Sequence, residues 1–204
     1  MTTLQTEIAA AAAALVVEEG LEYGPAKRRA VKQMALPART GLPDNDELED
    51  AVREYISVFC ADTQPVELAA LRELALVWMQ RMGAFRPHLG GAVWRGTATR
   101  LSAIHLDLYC DDTKSAEIML INKGVDYDVG SRPGVRGEPV DLLSIAARCA
   151  EWGETVTLFL TILDHDDLRG ALKPDARGRS WRGDASALRQ LLNSAALPGP
   201  ASSL

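Results

Sequence analysis

Between Arg86 and Ile121 the chain reads RPHLGGAVWRGTATRLSAIHLDLYCDDTKSAEIMLI, and this stretch limits the fold more than any other. Ile104, Leu106 and Leu108 alternate with His105, Asp107 and Tyr109. A period of two sends successive side chains to opposite sides of a strand. One side therefore packs, and the other is free to carry polar chemistry. Upstream, Gly90-Gly91 and Gly96-Thr97 mark tight turns, and a Gly-rich turn feeding an acidic strand is a candidate phosphate and metal site. Downstream, after the polar turn Cys110 to Ser115, the run Ala116 to Ile121 is expected as a second strand, with Glu117 its only charge.

Other segments follow by the same patterning. Thr3 to Glu19 is rich in Ala and Leu and stops at Gly20, which predicts a helix. Pro25 to Ala35 predicts a second helix carrying Lys27, Arg28, Arg29 and Lys32, read as a solvated basic face. Leu36 to Pro43 reads as a linker. Asp44 or Asn45 caps a helix with the stripe Leu48, Val52, Ile56 and Phe59, and a further helix carries Leu68, Leu71, Ala75, Trp78 and Met82. Val125 to Val129 reads as an edge strand, Gly130 to Pro139 as a loop, and Val140 to Ala150 as a short helix. Thr155 to Leu163 alternates throughout and reads as a strand, ending in the acidic cluster Asp164 to Asp167. The stretch 169–182 reads as a loop whose Arg177, Arg179 and Arg182 are either plain surface charge or a grip for phosphate. Asp184 caps a last helix with Leu188, Leu191 and Leu192 on one side. The expected class is α+β: helices first, then a small mixed sheet, then a C-terminal helix. The expected organisation is a helical region at 1–84, an α/β core at 85–196 and a flexible tail at 197–204, in one compact unit.

Composition sets the setting. The 204 residues are 47% hydrophobic and 25% charged, as in ordinary globular chains. A net charge of -6 argues against a duplex-binding surface spread over the molecule. Three cysteines without CxxC spacing point to free thiols in a reducing, cytoplasmic compartment, and three scattered histidines form no zinc pattern. The alanine run Ala9 to Ala14 is too short to span a bilayer, so no membrane association is expected.

Two resemblances add to this reading. The phrase IAAAAAALVVEEG, followed by a basic helix, resembles the opening of TetR-type helix-turn-helix repressors, but no recognition helix follows it. The stretch from Phe85 to Ile121 resembles the core of the nucleotidyltransferase superfamily, the polymerase-beta-like minimal nucleotidyltransferases. Gly90-Gly91-Ala92, Gly96-Thr97 and Ser102-Ala103-Ile104-His105-Leu106-Asp107-Leu108 follow its outline of a Gly-Gly or Gly-Ser turn and a Ser-Asp-hydrophobic-Asp strand. In one register the two metal-binding aspartates become Ala103 and His105; shifted by two, they become His105 and Asp107. The turn serine becomes Gly91 or Ala92. The resemblance implies catalytic roles for Asp107, His105 and Glu117, with Asp107 and Glu117 holding Mg²⁺ if the protein is active. It implies a nucleoside triphosphate held at Gly90, Gly91, Gly96 and Thr97. Hard cations want several oxygen ligands, so a site with one or two carboxylates implies reduced or lost activity, a degenerate active site. The alternatives are a non-enzymatic binding or regulatory module of the same fold, and a helix-turn-helix regulator. Homo-oligomer formation stays open.

Overall fold

The computed structural model describes residues 2–175 and 177–196. The expected tail at 197–204 lies outside the described residues. The chain is α+β and divides into two compact units: residues 1–68 with 97–102, and residues 69–96 with 103–204.

The first unit is helical. α1 (Thr3–Glu19) begins with a capping box between Thr2 and Gln5 and ends at Gly20 in the left-handed region, φ 67°. Only glycine fits there, because a Cβ would lie 2.7 Å from the Leu101 carbonyl oxygen. α2 (Tyr23–Gln33) and α3 (Asn45–Phe59) follow, the latter capped by Asp44 and Glu47. Their shared core joins Ile8, Ala12 and Val16 of α1, Ala26 and Ala30 of α2, and Leu48, Val52 and Ile56 of α3. Phe59, expected in that stripe, is 67% exposed and packs instead at a tilt against Tyr55, with ring centroids 4.5 Å apart. The basic face of α2 also needs correcting. Lys27 is buried, and its Nζ donates to the Pro43 carbonyl at 2.9 Å and to Asn45 Oδ1 at 2.8 Å. It ties the linker to α2, and Arg29 pairs with Glu19.

α4 (Gln64–Arg81) starts in the first unit and runs into the second. Of its expected stripe, Leu71, Ala75 and Trp78 are buried, Met82 is buried just past its end, and Leu68 is half-buried. The second unit then holds β1 (His88–Gly90), α5 (Gly91–Arg95), β2 (Ile104–Cys110), α6 (Ser115–Asn122), β3 (Asp128–Pro133), β4 (Pro139–Arg148), β5 (Thr155–Asp164), α7 (Leu168–Ala171) and α8 (Ala185–Ala196). The sheet order is β1-β2-β5-β4-β3; β2 and β5 are parallel and every other neighbour is antiparallel.

Several expectations fail here: the edge strand expected at Val125–Val129 starts only at Asp128, and the loop expected at 169–182 opens with part of α7. Ala116 to Ile121 is helix, not strand: Ala116 and Leu120, one turn apart, are its buried positions, and Ile118 and Ile121 are exposed. Ala, Glu, Met and Leu favour a helix, and six residues are too few to display its period. Val140 to Arg148 is strand, not helix. Leu143, Ile145 and Ala147 face inward, but Leu142 and Ala146 are apolar too, which hides the alternation. The loop expected at 130–139 contains most of β3 and a tight turn.

Candidate functional site

The site is built on β2 and its two neighbours. On one side of the sheet Ile104, Leu106 and Leu108 meet Leu158, Leu160 and Ile162 of β5, all buried. His105 and Asp107 project from the other side. The register sets Gly90 and Phe159 beside His105, and His88 and Thr161 beside Asp107. Gly91 takes φ 66° to turn β1 into α5, and a Cβ there would meet His105 Cδ2 at 3.2 Å. Gly90 backs onto the Trp181 carbonyl and Arg182 Cβ, which an added Cβ would meet at 3.7 and 4.0 Å. Glycine is thus favoured at Gly91 by its left-handed backbone and the close approach of His105, whereas a Cβ on Gly90 would make only ordinary contacts.

His105 stacks on Phe159 with centroids 5.2 Å apart. Asp107 forms an ion pair with Arg182 at 3.0 Å, and both side chains are largely buried, 16% and 25% exposed. The same guanidinium nitrogen donates to Tyr109 Oη at 2.8 Å. Burial is the main influence pushing the Tyr109 hydroxyl above its usual range, and the Asp107 charge adds to it; the Arg182 charge and its hydrogen bond oppose it. The segment bearing Arg182 is fixed at several points. Gly183 and Leu89 exchange backbone bonds at 2.8 and 3.0 Å, Trp94 Nε1 donates to the Ser180 carbonyl at 2.8 Å, and Arg95 and Arg179 both stack on Trp181. Gly183 is glycine because a Cβ would strike the Trp94 ring at 2.1 Å.

Asp107, His105, Gly90 and Gly91 are therefore brought together. Gly96 ends α5 with φ 83°. Thr97 belongs to the first unit, where it is buried. Glu117 does not join Asp107. It sits on α6, accepts from Tyr127 Oη at 3.0 Å and pairs with Lys114 at 3.1 Å. Lys114 also reaches Asp141, whose neighbour Leu142 is the residue in the row of Thr161 and Asp107. Asp141 thus points to the opposite side of the sheet, and Glu117 is held on that side with it. The acidic cluster after β5 is also committed: Asp164 Oδ1 accepts from the Asp166 N–H at 2.8 Å, and Asp167 pairs with Arg136 at 3.0 Å. Among the described residues no group of three or more His, Cys, Asp or Glu side chains gathers to hold a metal ion.

No protein-family model, no curated protein and no solved structure matches the chain. Among the described residues no helix is long and apolar enough to cross a membrane.

Sequence reasoning underestimated Arg182, Phe159 and Thr161. The loop arginines were visible as charges, but nothing local links Arg182 to Asp107. A cleft of about 620 Å³ between α4 and β4, lined by Leu74, Val77, Trp78, Arg81, Ile145 and Arg148, was also unforeseen; it lies on the Ile145 side of the sheet, away from Asp107.

Proposed function

We propose that this chain is a nucleotidyltransferase-like protein that no longer transfers nucleotides and acts as a non-enzymatic binding or regulatory module. The observation carrying this reading is the Asp107–Arg182 pair. Phosphoryl transfer of this class depends on divalent ions that neutralise the reacting phosphates, and those ions need clustered carboxylates. Here the single carboxylate on the polar side of β2 is already neutralised by a guanidinium. The adjacent rungs of β5 offer Phe159 and Thr161 in place of an acid. A divalent cation does not fit such a donor set, so no chemical step is assigned to one. The three free cysteines, Cys60, Cys110 and Cys149, support a reducing, cytoplasmic setting.

The test is incubation of purified protein with labelled nucleoside triphosphates, Mg²⁺ or Mn²⁺, and RNA, protein or small-molecule acceptors. The expected result is no transfer above a protein-free control. Transfer abolished by Asp107→Ala would overturn the proposal and make Asp107 a metal ligand. Transfer indifferent to that change would overturn it too and place the chemistry elsewhere.

A further inference from the structure

β3 is one of the two outer strands of the sheet, and all of Asp128–Pro133 is exposed. Its inner edge pairs with β4 in a register running from Asp128↔Ser144 to Pro133↔Pro139. The hairpin turn reveals which backbone groups are left over. At the next rung the Gly134 N–H donates to the Glu138 carbonyl at 2.7 Å, so that rung is a hydrogen-bonded one. Antiparallel rungs alternate between bonded and non-bonded. Arg132, Gly130 and Asp128 therefore turn their N–H and C=O toward β4, and Val129, Ser131 and Pro133 turn theirs away. Pro133, which has no N–H, thus removes no bond from the ladder.

That outward edge is complementary to itself. Lay a second copy antiparallel about a two-fold axis through Gly130. Val129 then faces Ser131 of the partner subunit, and each such rung closes a reciprocal pair of backbone bonds. Asp128 faces Arg132 of the partner subunit on a non-bonded rung, where side chains approach most closely and opposite charges attract. Gly130, at the axis, has no side chain to hold the copies apart. Val129 projects on the same side of the sheet as Leu143, the side that carries α6. On that side Val129 is 58% exposed, apolar area that a partner could cover.

We propose that β3 is the contact of a two-fold homodimer of this chain, formed by edge-to-edge strand pairing and set in register by reciprocal Asp128–Arg132 pairs. The inference is independent of the nucleotidyltransferase-like reading. Isologous contacts of this kind close after two copies, which also shields an edge that would otherwise recruit other strands.

Sedimentation of the full chain across micromolar to sub-millimolar concentrations tests it. Wild type is expected to pass from monomer to dimer. Asp128→Arg sets arginines opposite one another and Arg132→Asp sets aspartates opposite one another. Each alone should weaken the dimer at least about tenfold, a change of roughly 1.4 kcal/mol. Mixed one to one, the two variants should restore a dimer, because every rung is again opposite in charge. Ser131→Pro, which removes an outward N–H and leaves the β4 ladder whole, should also give monomer, with unchanged circular dichroism. A wild type that stays monomeric, a dimer indifferent to both charge reversals, or a mixture that fails to recover would each overturn the proposal.

Discussion

On one side of the sheet Ile104, Leu106, Leu108, Leu158, Leu160 and Ile162 are at most 3% exposed. On the other, His105, Asp107 and Phe159 stay half-buried, and Asp107 is paired with Arg182. The apolar side is redundant, since each side chain there is one of many filling a common core. The polar side is not redundant: Asp107 has Arg182, and Arg182 is reached only through a segment pinned at Ser180 and Gly183. Folding therefore rests on the first side, and any ligand on the second must contend with a charge already neutralised.

Truncation on the two sides should differ most in stability. Leu106→Ala opens a cavity in a fully buried position and is expected to cost about 2–5 kcal/mol in urea denaturation. His105→Ala, on the neighbouring half-buried position, should cost about 1 kcal/mol, roughly the value of its aromatic contact with Phe159. Equal losses would remove the distinction between the two sides.

A smaller effect tests the ion pair. Asp107→Ala leaves the Arg182 guanidinium three-quarters buried without its carboxylate, and a loss of about 2 kcal/mol is expected, below the range for fully buried pairs because water still reaches both groups. Adding Arg182→Met should recover most of it, because the unpaired charge goes with the arginine. If the double variant is worse than the single by a full additive step, the pair is not coupled. Smaller again, Gly91→Ala should cost about 1 kcal/mol from its left-handed backbone. Part of the loss should be relieved when His105→Ala opens the space beside it.

The smallest effect is one of pH. Cys110, on the apolar side, is pushed up to about 11 from an ordinary 9.0, chiefly by burial and then by the Asp111 charge. The folded state therefore holds the thiol proton more tightly than the unfolded chain. Its contribution is complete below about pH 9 and is lost as pH rises through 11. Cys110→Ala should flatten that part of the stability–pH curve, read by thermal melting at a series of pH values. An unchanged slope would show that burial does not govern this thiol.

The apolar side was legible because its signal is local. Ile104, Leu106 and Leu108 alternate within one strand, and Leu71, Ala75 and Trp78 repeat at helical spacing in α4. Legibility failed where a run was short or apolar on both faces, as in Ala116 to Ile121 and Leu142 to Ala147. It also failed where contacts are distant in sequence. Asp107 and Arg182 are joined by the return of the chain past β1, and the register that sets Thr161 beside Asp107 has no signature in either strand alone. Lys27 was misread for a related reason: its partners are the Pro43 carbonyl and Asn45, across a linker that carries no pattern.

The proposed loss of nucleotidyl transfer rests on the Arg182 guanidinium, which already balances the Asp107 charge from 3.0 Å away. Titration of the wild-type protein with Mn²⁺, followed by the electron paramagnetic resonance signal of the free ion, tests it most directly. No stoichiometric uptake is expected, with or without nucleoside triphosphate. Uptake of about one equivalent that disappears in Asp107→Asn would contradict it, because Asp107 would then be a ligand and its pairing with Arg182 a resting state that metal displaces.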